Sequence, residues 1–273
     1  MARRIATWNL WWRFGPWQER RRAIGHVLRE ANPDICGLQE VWADDERNLA
    51  AELAEELGLH WSWTASPEPE RWRSRAPEER AGVGTAILSR WPITHGFDVS
   101  LPAAGSGDGG RTATIAVVES PDGRIPVASV QLTSAPWDSA ARCMQVRALV
   151  ERLAALDRED HPVVVVGDLN AEPDSDEVRL LCGHKTAPAH EGFVLLDAWR
   201  YAPSDAVGWT WDRANPRVLA TMEPSCRIDY VLVGPPRSGR RGAVLSARRI
   251  GAGPVDGIWA SDHAGVLAEL ETG

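Results

Sequence analysis

The sequence predicts an α/β fold, because segments with helical patterns and segments with strand-like patterns alternate along its 273 residues. Three segments place apolar residues at the spacing of a helix with one buried face. Several short runs are apolar throughout, which is typical of strands that are buried on both faces. Such strands need cover on both sides, and the packing of one sheet on another provides it. A chain of this length can form one core, so we expect residues 1–273 to be a single domain.

The predicted helices have recognisable ends. The first covers residues 17–31 and is stopped before Pro33. The second covers residues 46–57 and is closed by Gly58, because glycine takes the left-handed conformation after a helix at little cost. The third covers residues 140–156. The alternation of these helices with strands places the chain in the α/β class.

The predicted strands are short apolar runs. They cover residues 83–89, 112–119, 125–133, 163–167, 229–233 and 264–270. Between these elements the sequence predicts long loops, where we expect substrate choice to be decided. The loops cover residues 67–80, which are densely charged, residues 103–110, which are glycine-rich and expected to be mobile, and residues 201–225 and 235–253.

The segment Gly167-Asp168-Leu169-Asn170 directly follows the β-branched run Val163–Val166. Residues two apart in an extended chain point to the same side, so Asp168 and Asn170 should converge. A carboxylate and an amide at the end of a buried strand need a partner or a metal ion. The alternative is an ordinary turn in which both side chains bond the loop backbone.

Four other segments repeat this arrangement of polar side chains at strand ends. One strand-like stretch ends in Asn9, and another ends in Glu40. Asp229 begins a third strand, and the pair Asp262-His263 precedes the last strand. Each segment alone is weak evidence, but five of them in one chain are difficult to attribute to turns. We therefore expect these side chains to meet in one active site.

Together these segments resemble a known set of motifs. Thr7-Trp8-Asn9, Leu38-Gln39-Glu40, Gly167-Asp168-Leu169-Asn170, Arg227-Ile228-Asp229-Tyr230 and Ser261-Asp262-His263 are similar, in the same order, to the five motifs of the endonuclease/exonuclease/phosphatase superfamily. The resemblance covers essentially the whole chain. It implies a four-layer α/β/β/α sandwich, in which two packed mixed β-sheets are flanked by helices. It also implies a metal-dependent phosphoesterase.

The resemblance implies a metal site built from oxygen ligands. Glu40 looks like the principal ligand, with Asn9 beside it and Asp262 helping to hold the ion. Hard oxygen ligands suit Mg²⁺ or Mn²⁺ and do not suit zinc. We therefore expect Mg²⁺ (or Mn²⁺) as the cofactor.

The resemblance also implies the catalytic roles. Asp168 would orient or deprotonate the attacking water, and Asn170 would donate a hydrogen bond to a phosphoryl oxygen. Asp229 would pair with His263, fix its tautomer and favour the imidazolium. Whether His263 acts as a base or as a charge clamp stays open.

The sequence departs from the family at one position. Many members carry a histidine or tyrosine on the strand before the long central helix, and residues 127–136 contain neither. Alignment on the following helix puts Thr133 in this position as a catalytic candidate, with Gln131 as the alternative register. Neither side chain is a cation or a good proton donor near neutral pH. This departure leaves open a catalytically silent member that only binds a phosphorylated ligand.

The composition bears on the substrate. The net charge of −8 and the pI of about 5.4 argue against a protein that grips long duplex nucleic acid through a general basic surface. Trp209 and Trp211 would share a side if extended, and with Arg227, Asn9 and Asn170 they are the predicted substrate-binding residues. We expect a small or single-stranded phosphoester substrate, with nucleic acid as one possibility. The alternatives are a DNA-repair-type endonuclease or exonuclease and a phospholipid head-group phosphodiesterase.

The cellular setting follows from what the sequence contains. We expect a cytoplasmic monomer, because the charged N-terminal segment does not resemble a signal peptide and no run approaches the length of an integral membrane segment. The four cysteines form no C-x-x-C pair, which disfavours a zinc site and a disulfide framework.

Overall fold

The computed structural model describes residues 2–76, 79–103, 110–156 and 160–273. Twelve strands and six α-helices form within these ranges. The strands are Ala2–Asn9 (β1), Ile35–Ala43 (β2), His60–Ala65 (β3), Gly82–Ser89 (β4), Ile93–Ser100 (β5), Thr112–Ser120 (β6), Gly123–Gln131 (β7), Val164–Asp168 (β8), Leu196–Asp197 (β9), Asp229–Val233 (β10), Val244–Ile250 (β11) and Gly265–Glu271 (β12). The helices are Trp17–Ala31 (α1), Leu49–Leu57 (α2), Glu70–Arg75 (α3), Ser139–Ala154 (α4), Asp176–Cys182 (α5) and Pro216–Leu219 (α6).

The strands form two six-stranded mixed sheets. The first has the order β11-β12-β1-β2-β4-β3, and the second has the order β5-β6-β7-β8-β10-β9. One pair in each sheet is parallel, β1 with β2 and β7 with β8, and the other pairs are antiparallel. Asn9, Gln131 and Asp168 lie at the carboxyl ends of β1, β7 and β8. Glu40 does not end its strand as predicted, because β2 continues to Ala43.

Three apolar clusters separate four layers. One cluster lies between the sheets and contains Ile5, Ile87 and Val166. A second joins the first sheet to α1 and α2, and a third joins the second sheet to α4 and α5. Gly37 allows the sheets to approach closely, because a Cβ atom there would lie 2.1 Å from Cγ2 of Val166. The predicted α/β/β/α sandwich is confirmed.

The predicted helices are found with small shifts at their ends. The first runs from Trp17 to Ala31 as expected. The second begins at Leu49, three residues later than predicted, because the Asn48 side chain caps it by accepting from two backbone N–H groups. It ends before Gly58, which has φ of +66°. End positions such as these are decided by local hydrogen bonds that composition does not show.

Three of the predicted loops contain regular structure. Residues 67–80 include α3, residues 201–225 include α6, and residues 235–253 include β11. The strand β11 has Val244, Ala247 and Ile250 buried and charged side chains between them, so its pattern is less apolar than that of a central strand. Of the predicted mobile loop 103–110, residues 104–109 lie outside the described residues, as do residues 77–78 of the charged loop.

Candidate active site

The polar residues from the strand ends meet in one cavity of about 520 Å³. Asn9 ends β1, Asp168 ends β8, and Asp229 begins β10 directly opposite Asp168 in the sheet register. His263 lies just before β12 and reaches the cavity beside Asp262. The polar side chains at its floor are Asn9, Glu40, Gln131, Asp168, Asn170, Asp262 and His263.

Asp168 is the centre of the hydrogen-bond network in this cavity. Its Oδ2 accepts from Nδ2 of Asn9 at 3.0 Å, from Nε2 of Gln131 at 3.2 Å and from Nδ2 of Asn170 at 3.3 Å. Its Oδ1 accepts from the backbone N–H of Asn170 at 3.0 Å. Burial raises the pKa of Asp168, and the nearby Asp229 carboxylate raises it further. The network therefore fixes the position of a carboxyl group that binds protons more tightly than an exposed aspartate.

Asp168 and Asn170 converge as predicted, although the chain is not extended between them. The strand β8 ends at Asp168, and Asn170 has φ of +47° in the left-handed region. Asparagine tolerates this conformation better than most residues. The turn brings the Asn170 amide back onto Asp168 and onto the carbonyl of Leu132, to which it donates at 3.1 Å.

Asp229 and His263 form a fully buried pair. Nδ1 of His263 lies 2.9 Å from Oδ2 of Asp229, which is inaccessible to solvent. Burial opposes a charge on His263, but the carboxylates of Asp229 and Asp168 outweigh it and raise the pKa of His263 well above its usual value. The ring of Trp211 packs edge-on against the imidazole with centroids 5.0 Å apart. The pair thus holds an imidazolium in a defined orientation at the cavity.

Glu40 and Asp262 supply two further carboxylates to the cavity. Glu40 has φ of +52° at a register shift in the β2–β4 pairing, and this bulge places its side chain where Nε2 of Gln131 donates to it at 3.0 Å. Burial raises the pKa of Asp262 to about 7, with the charge of Glu40 adding to the effect. Asp262 is thus held beside the charge of another carboxylate, and a cation bound there would stabilise its ionised form.

These oxygen donors fit a hard divalent cation. Glu40 and Asp262 are carboxylates, and the amide Oδ1 of Asn9 already accepts from the N–H of Trp11 at 2.9 Å, so one of its two lone pairs is used. A second group of possible ligands, Asp168, Asp229 and His263, has atoms within 4.8 Å of one another. In that group Asp168 accepts four hydrogen bonds and Oδ2 of Asp229 is bonded to His263, whereas the buried Oδ1 of Asp229 has no hydrogen-bond partner among the described residues.

Arg20 organises the chain around these ligands and was not predicted from the sequence. Its side chain is 1% exposed, and all five of its N–H groups donate to backbone carbonyls. Burial lowers the pKa of Arg20 to about 10, so it stays charged at neutral pH. The sequence does indicate that Arg20 is buried, because residue 20 lies on the apolar stripe of α1 with Ala23, Ile24 and Val27.

A model of the "Endonuclease/Exonuclease/phosphatase family" matches residues 6–263, which contain every polar residue of the cavity floor. The chain belongs to the endonuclease/exonuclease/phosphatase family. Membership supports phosphoester hydrolysis as the chemistry of this cavity.

Relatives with curated names and with solved structures resemble the chain at low identity. The Caenorhabditis elegans protein named "Putative neutral sphingomyelinase" is 26% identical over 98% of this chain, and the chain spans 66% of that relative's length. The structure of D. rerio TDP2 complexed with single-strand DNA product matches with a TM-score of 0.77, 19% identity and 99% coverage of both chains. The human Nocturnin catalytic domain with bound sulfate matches with a TM-score of 0.74 and 19% identity, over 99% of this chain and 94% of that one. At these identities the structural matches establish the fold.

The structure distinguishes the two candidates for the position where many family members have histidine or tyrosine. Gln131 lines the cavity and donates to both Glu40 and Asp168. Thr133 is 1% exposed, and its hydroxyl accepts from Nε2 of Gln145 at 2.8 Å, away from the cavity lining. The strand β7 ends at Gln131, so the alternation that would put both residues on one side does not continue to residue 133. The alternative register, Gln131, is the one that reaches the site.

Two of the predicted substrate-binding residues lie outside the cavity lining. Arg227 pairs with Asp197 at 2.6 Å and stacks over Tyr230, so its charge is used within the protein. Trp209 is half exposed and lies on the outside, whereas Trp211 lines the cavity. Trp211 is held at the cavity by isolated bridges to Cys226 and His263.

No helix in the described part of the chain combines the length and the apolar character that crossing a bilayer requires.

Proposed function

We propose that the chain is a Mg²⁺- or Mn²⁺-dependent phosphoesterase that hydrolyses a phosphodiester or phosphomonoester bond by attack of an activated water. We also propose that residues 1–273 act as one catalytic domain and as a monomer. The proposal rests on two groups of ionisable side chains that line or adjoin one cavity. Asp168, Asp229 and His263 form one group with atoms within 4.8 Å of one another, and Glu40 and Asp262 add two carboxylates to the cavity lining.

Glu40, Asp262 and the Asn9 amide oxygen would hold the cation. When bound, a divalent ion supplies charge neutralisation at the phosphoryl oxygens and a lower pKa for a coordinated water. The protein itself holds these ligands in place. Gln131 donates to Glu40. The Ser261 hydroxyl donates to the Asn9 carbonyl at 2.7 Å and lies 3.3 Å from Oδ1 of Asp262.

Asp168 is the group best placed to orient the water and take its proton. A carboxylate with a raised pKa is a stronger base than an exposed aspartate, and it is still charged when the surrounding donors stabilise it. Its four hydrogen bonds leave it little freedom to rotate. Its proton affinity and its position both fit general-base chemistry.

His263 is the group best placed to bind a phosphoryl oxygen. The amide of Asn170 already donates to the Leu132 carbonyl and to Asp168, so it would bind a phosphoryl oxygen only by giving up one of these bonds. Nδ1 of His263 is bonded to Asp229, and Nε2 makes no hydrogen bond among the described residues, so it can donate to the substrate. An imidazolium held in a buried site stabilises the negative charge that develops in the transition state. This geometry favours the charge-clamp role for His263 over the base role.

The names of two relatives suggest two classes of substrate. The C. elegans relative has a sphingomyelinase name, and the matching D. rerio TDP2 structure contains a single-strand DNA product. We propose a small or single-stranded phosphoester as the substrate, because the net charge is negative and the cavity has a limited volume. A phospholipid head group and a repair-type DNA end are the alternatives that the experiment separates.

The test is hydrolysis of a substrate panel with Mg²⁺, with Mn²⁺ and with EDTA. The panel holds bis-p-nitrophenyl phosphate, p-nitrophenyl phosphate, single-stranded DNA, abasic duplex DNA, RNA and sphingomyelin vesicles. We expect metal-dependent turnover that Glu40→Gln abolishes and that Glu30→Gln, the same change on the exposed face of α1, leaves intact.

A second readout does not depend on turnover. Metal binding stabilises a folded protein by mass action, so Mg²⁺ or Mn²⁺ should raise the Tm of the wild type and of Glu30→Gln but not of Glu40→Gln. Metal-dependent stabilisation without turnover on the panel would favour the silent phospho-ligand-binding alternative. Turnover that survives in Glu40→Gln would refute the assignment of the metal site.

A further inference from the structure

The layer between the two sheets changes from apolar to polar toward the cavity. Alternate residues of each central strand face this layer, and the residues between them face the helices. The positions that face the layer read Ile5-Thr7-Asn9 in β1, Ile35-Gly37-Gln39 in β2, Val127-Ser129-Gln131 in β7 and Val164-Val166-Asp168 in β8. In three of these strands the last residue of the series lines the cavity, and in β2 it is Glu40, the neighbour of the last residue, that does so.

The side chain of Gln39 crosses from the first sheet to the second. Its Nε2 donates to Oγ of Ser129 at 3.0 Å, and its Oε1 accepts from the Thr7 hydroxyl at 3.3 Å. The Ser129 hydroxyl in turn donates to the carbonyl of Leu38 at 3.2 Å. The side chains of Thr7, Gln39 and Ser129 are all inaccessible to solvent. Buried polar groups reduce stability unless they are bonded, and a bonded network fixes one arrangement, so these contacts join β2 to β7 more specifically than apolar residues would.

Gln39 belongs to the bulge that presents Glu40. The register of β2 with β4 shifts between Leu38 and Val41, so Gln39 and Glu40 together lie opposite one residue of β4. Alternation alone would turn Glu40 toward the helices, on the side of Leu38. The bulge, with φ of +52° at Glu40, turns this side chain into the cavity instead. Ser129 contacts both residues that precede Glu40, and it thereby holds the bulge against the second sheet.

Glu40 and the groups around it come from different sheets. Glu40 belongs to the first sheet, whereas Gln131 and Asp168 belong to the second. Nε2 of Gln131 donates to both carboxylates, at 3.0 Å to Glu40 and at 3.2 Å to Asp168. The sheets approach closely just below this contact, because a Cβ atom at Gly37 would lie 3.1 Å from Oγ of Ser129. A shift of β2 against β7 would therefore change the position of Glu40 relative to Asp168.

We propose that Gln39 is a positioning residue for the metal site, which holds the Glu40 carboxylate in place through its hydrogen bond to Ser129. Gln39 does not line the cavity, so it acts through Glu40 and not on the ion or the substrate. The inference rests on the proposed function, since it takes Glu40 as a ligand of the cation. Residues that orient a metal ligand from behind change metal affinity by about 10–100-fold when they are replaced.

The test measures the Kd of Mn²⁺ for the full chain by electron paramagnetic resonance. Gln39→Met keeps an unbranched side chain but removes the amide, and we expect the Kd to rise about tenfold. Ser129→Ala removes the same hydrogen bond and should raise the Kd at least as much. The double variant should match Ser129→Ala, because the bond can be lost only once. Increases that multiply in the double variant would mean that the two residues act independently, and they would overturn the proposal.

Thr114→Val is the matched control. Thr114 is also buried between the sheets, where its hydroxyl lies 2.9 Å from the Thr85 carbonyl and 2.8 Å from the Thr64 hydroxyl, but these contacts do not involve β2. This variant should lose stability in urea denaturation and keep the Kd of the wild type. An equal rise of the Kd in Thr114→Val would show a general loosening of the sheets and overturn the proposal. An unchanged Kd in Ser129→Ala would also overturn it, and this comparison remains decisive if Gln39→Met fails to fold.

Hydrogen exchange without metal separates a failure of this inference from a failure of the proposed function. The backbone amides of residues 38–41 should exchange faster in Gln39→Met and in Ser129→Ala than in the wild type or in Thr114→Val, because the bulge has lost a contact. If the wild type binds no Mn²⁺, the proposed metal site is wrong, but faster exchange would still support the role of Gln39 at the bulge. Unchanged exchange in both variants would overturn that role even where the wild type binds the ion.

Discussion

Replacement of Arg20 should destabilise the protein through a countable set of hydrogen bonds. The guanidinium uses all five of its N–H groups, at distances of 2.8–3.0 Å. The acceptors are the carbonyls of Leu10, Trp11, Trp12, Phe14 and Ala260. They belong to the two segments that follow Asn9 and precede Asp262, so the side chain joins the two ends of the metal site.

In Arg20→Lys the charge remains, but an ammonium group has only three donors, so at least two buried carbonyls lose their partner. Each unsatisfied buried group costs about 1–3 kcal/mol, and we expect a loss of about 3 kcal/mol in the free energy of unfolding. At roughly 2–4 °C per kcal/mol, this corresponds to a decrease in Tm of roughly 6–12 °C. In Arg20→Met all five carbonyls lose their partner, and the loss should be larger.

The assay is urea denaturation followed by circular dichroism, with kcat/KM measured on the best substrate of the panel. The control is Arg22→Lys, which makes the same change on the exposed side of α1 and should change the free energy of unfolding by less than about 0.5 kcal/mol. A loss below about 1 kcal/mol in Arg20→Lys, or equal losses in the two variants, would refute the reasoning from donor count.

Three further predictions concern single groups. Asp229→Asn should lower kcat roughly a hundredfold or more, because His263 loses the carboxylate that holds its proton and its orientation. The control, Asp205→Asn, changes an exposed aspartate and should leave kcat unchanged in the same steady-state assay. If a proton donor is missing at residue 131, Gln131→His should raise kcat. The pH–rate profile of this variant should then show a new ionisation near the usual histidine pKa. An unchanged profile would contradict a missing proton donor. Burial, with a contribution from the charge of Arg3, lowers the pKa of His161, so the folded protein holds this proton less tightly than the unfolded chain does. At this site the unfolded chain therefore binds more protons near pH 6.5, and the contribution of His161 to stability decreases as pH falls through that value. His161→Gln should remove this contribution from denaturation curves at pH 5–7.

The sequence predicted the fold class and the main polar residues because both depend on short-range patterns. Apolar runs identify strands that are buried on both faces, and the polar residue at the end of each run is visible in the sequence. The convergence of Asp168 with Asn170 was predicted from the strand period, but a left-handed turn at Asn170 produces it. The meeting of Asp229 with His263 was predicted from the family resemblance. The catalytic roles assigned to these residues stay predictions.

Long-range contacts decided what the sequence did not predict. Arg227 follows the same pattern as a substrate ligand, but Asp197, some thirty residues away, takes its charge. Thr133 and Gln131 cannot be ranked from alternation alone, since the end of β7 depends on its pairing with β8. The charged loop 67–80 contains the helix α3, which is too short for its periodicity to indicate which side chains face the cavity.

The positive φ angles around the site show how this architecture holds strained backbone in place. Trp11, Trp12, Glu40 and Asn170 all have φ between +35° and +56°. A left-handed conformation costs about 1–2 kcal/mol for an ordinary residue, so four of them would not persist without compensation. The carbonyls of Trp11 and Trp12 are bonded to Arg20, and the N–H of Trp12 donates to the Glu40 carbonyl at 3.1 Å. The contacts that offset the strain therefore link the loop after β1 to the Glu40 bulge, and a substitution that releases one of them should displace the metal ligands even where it touches none of them.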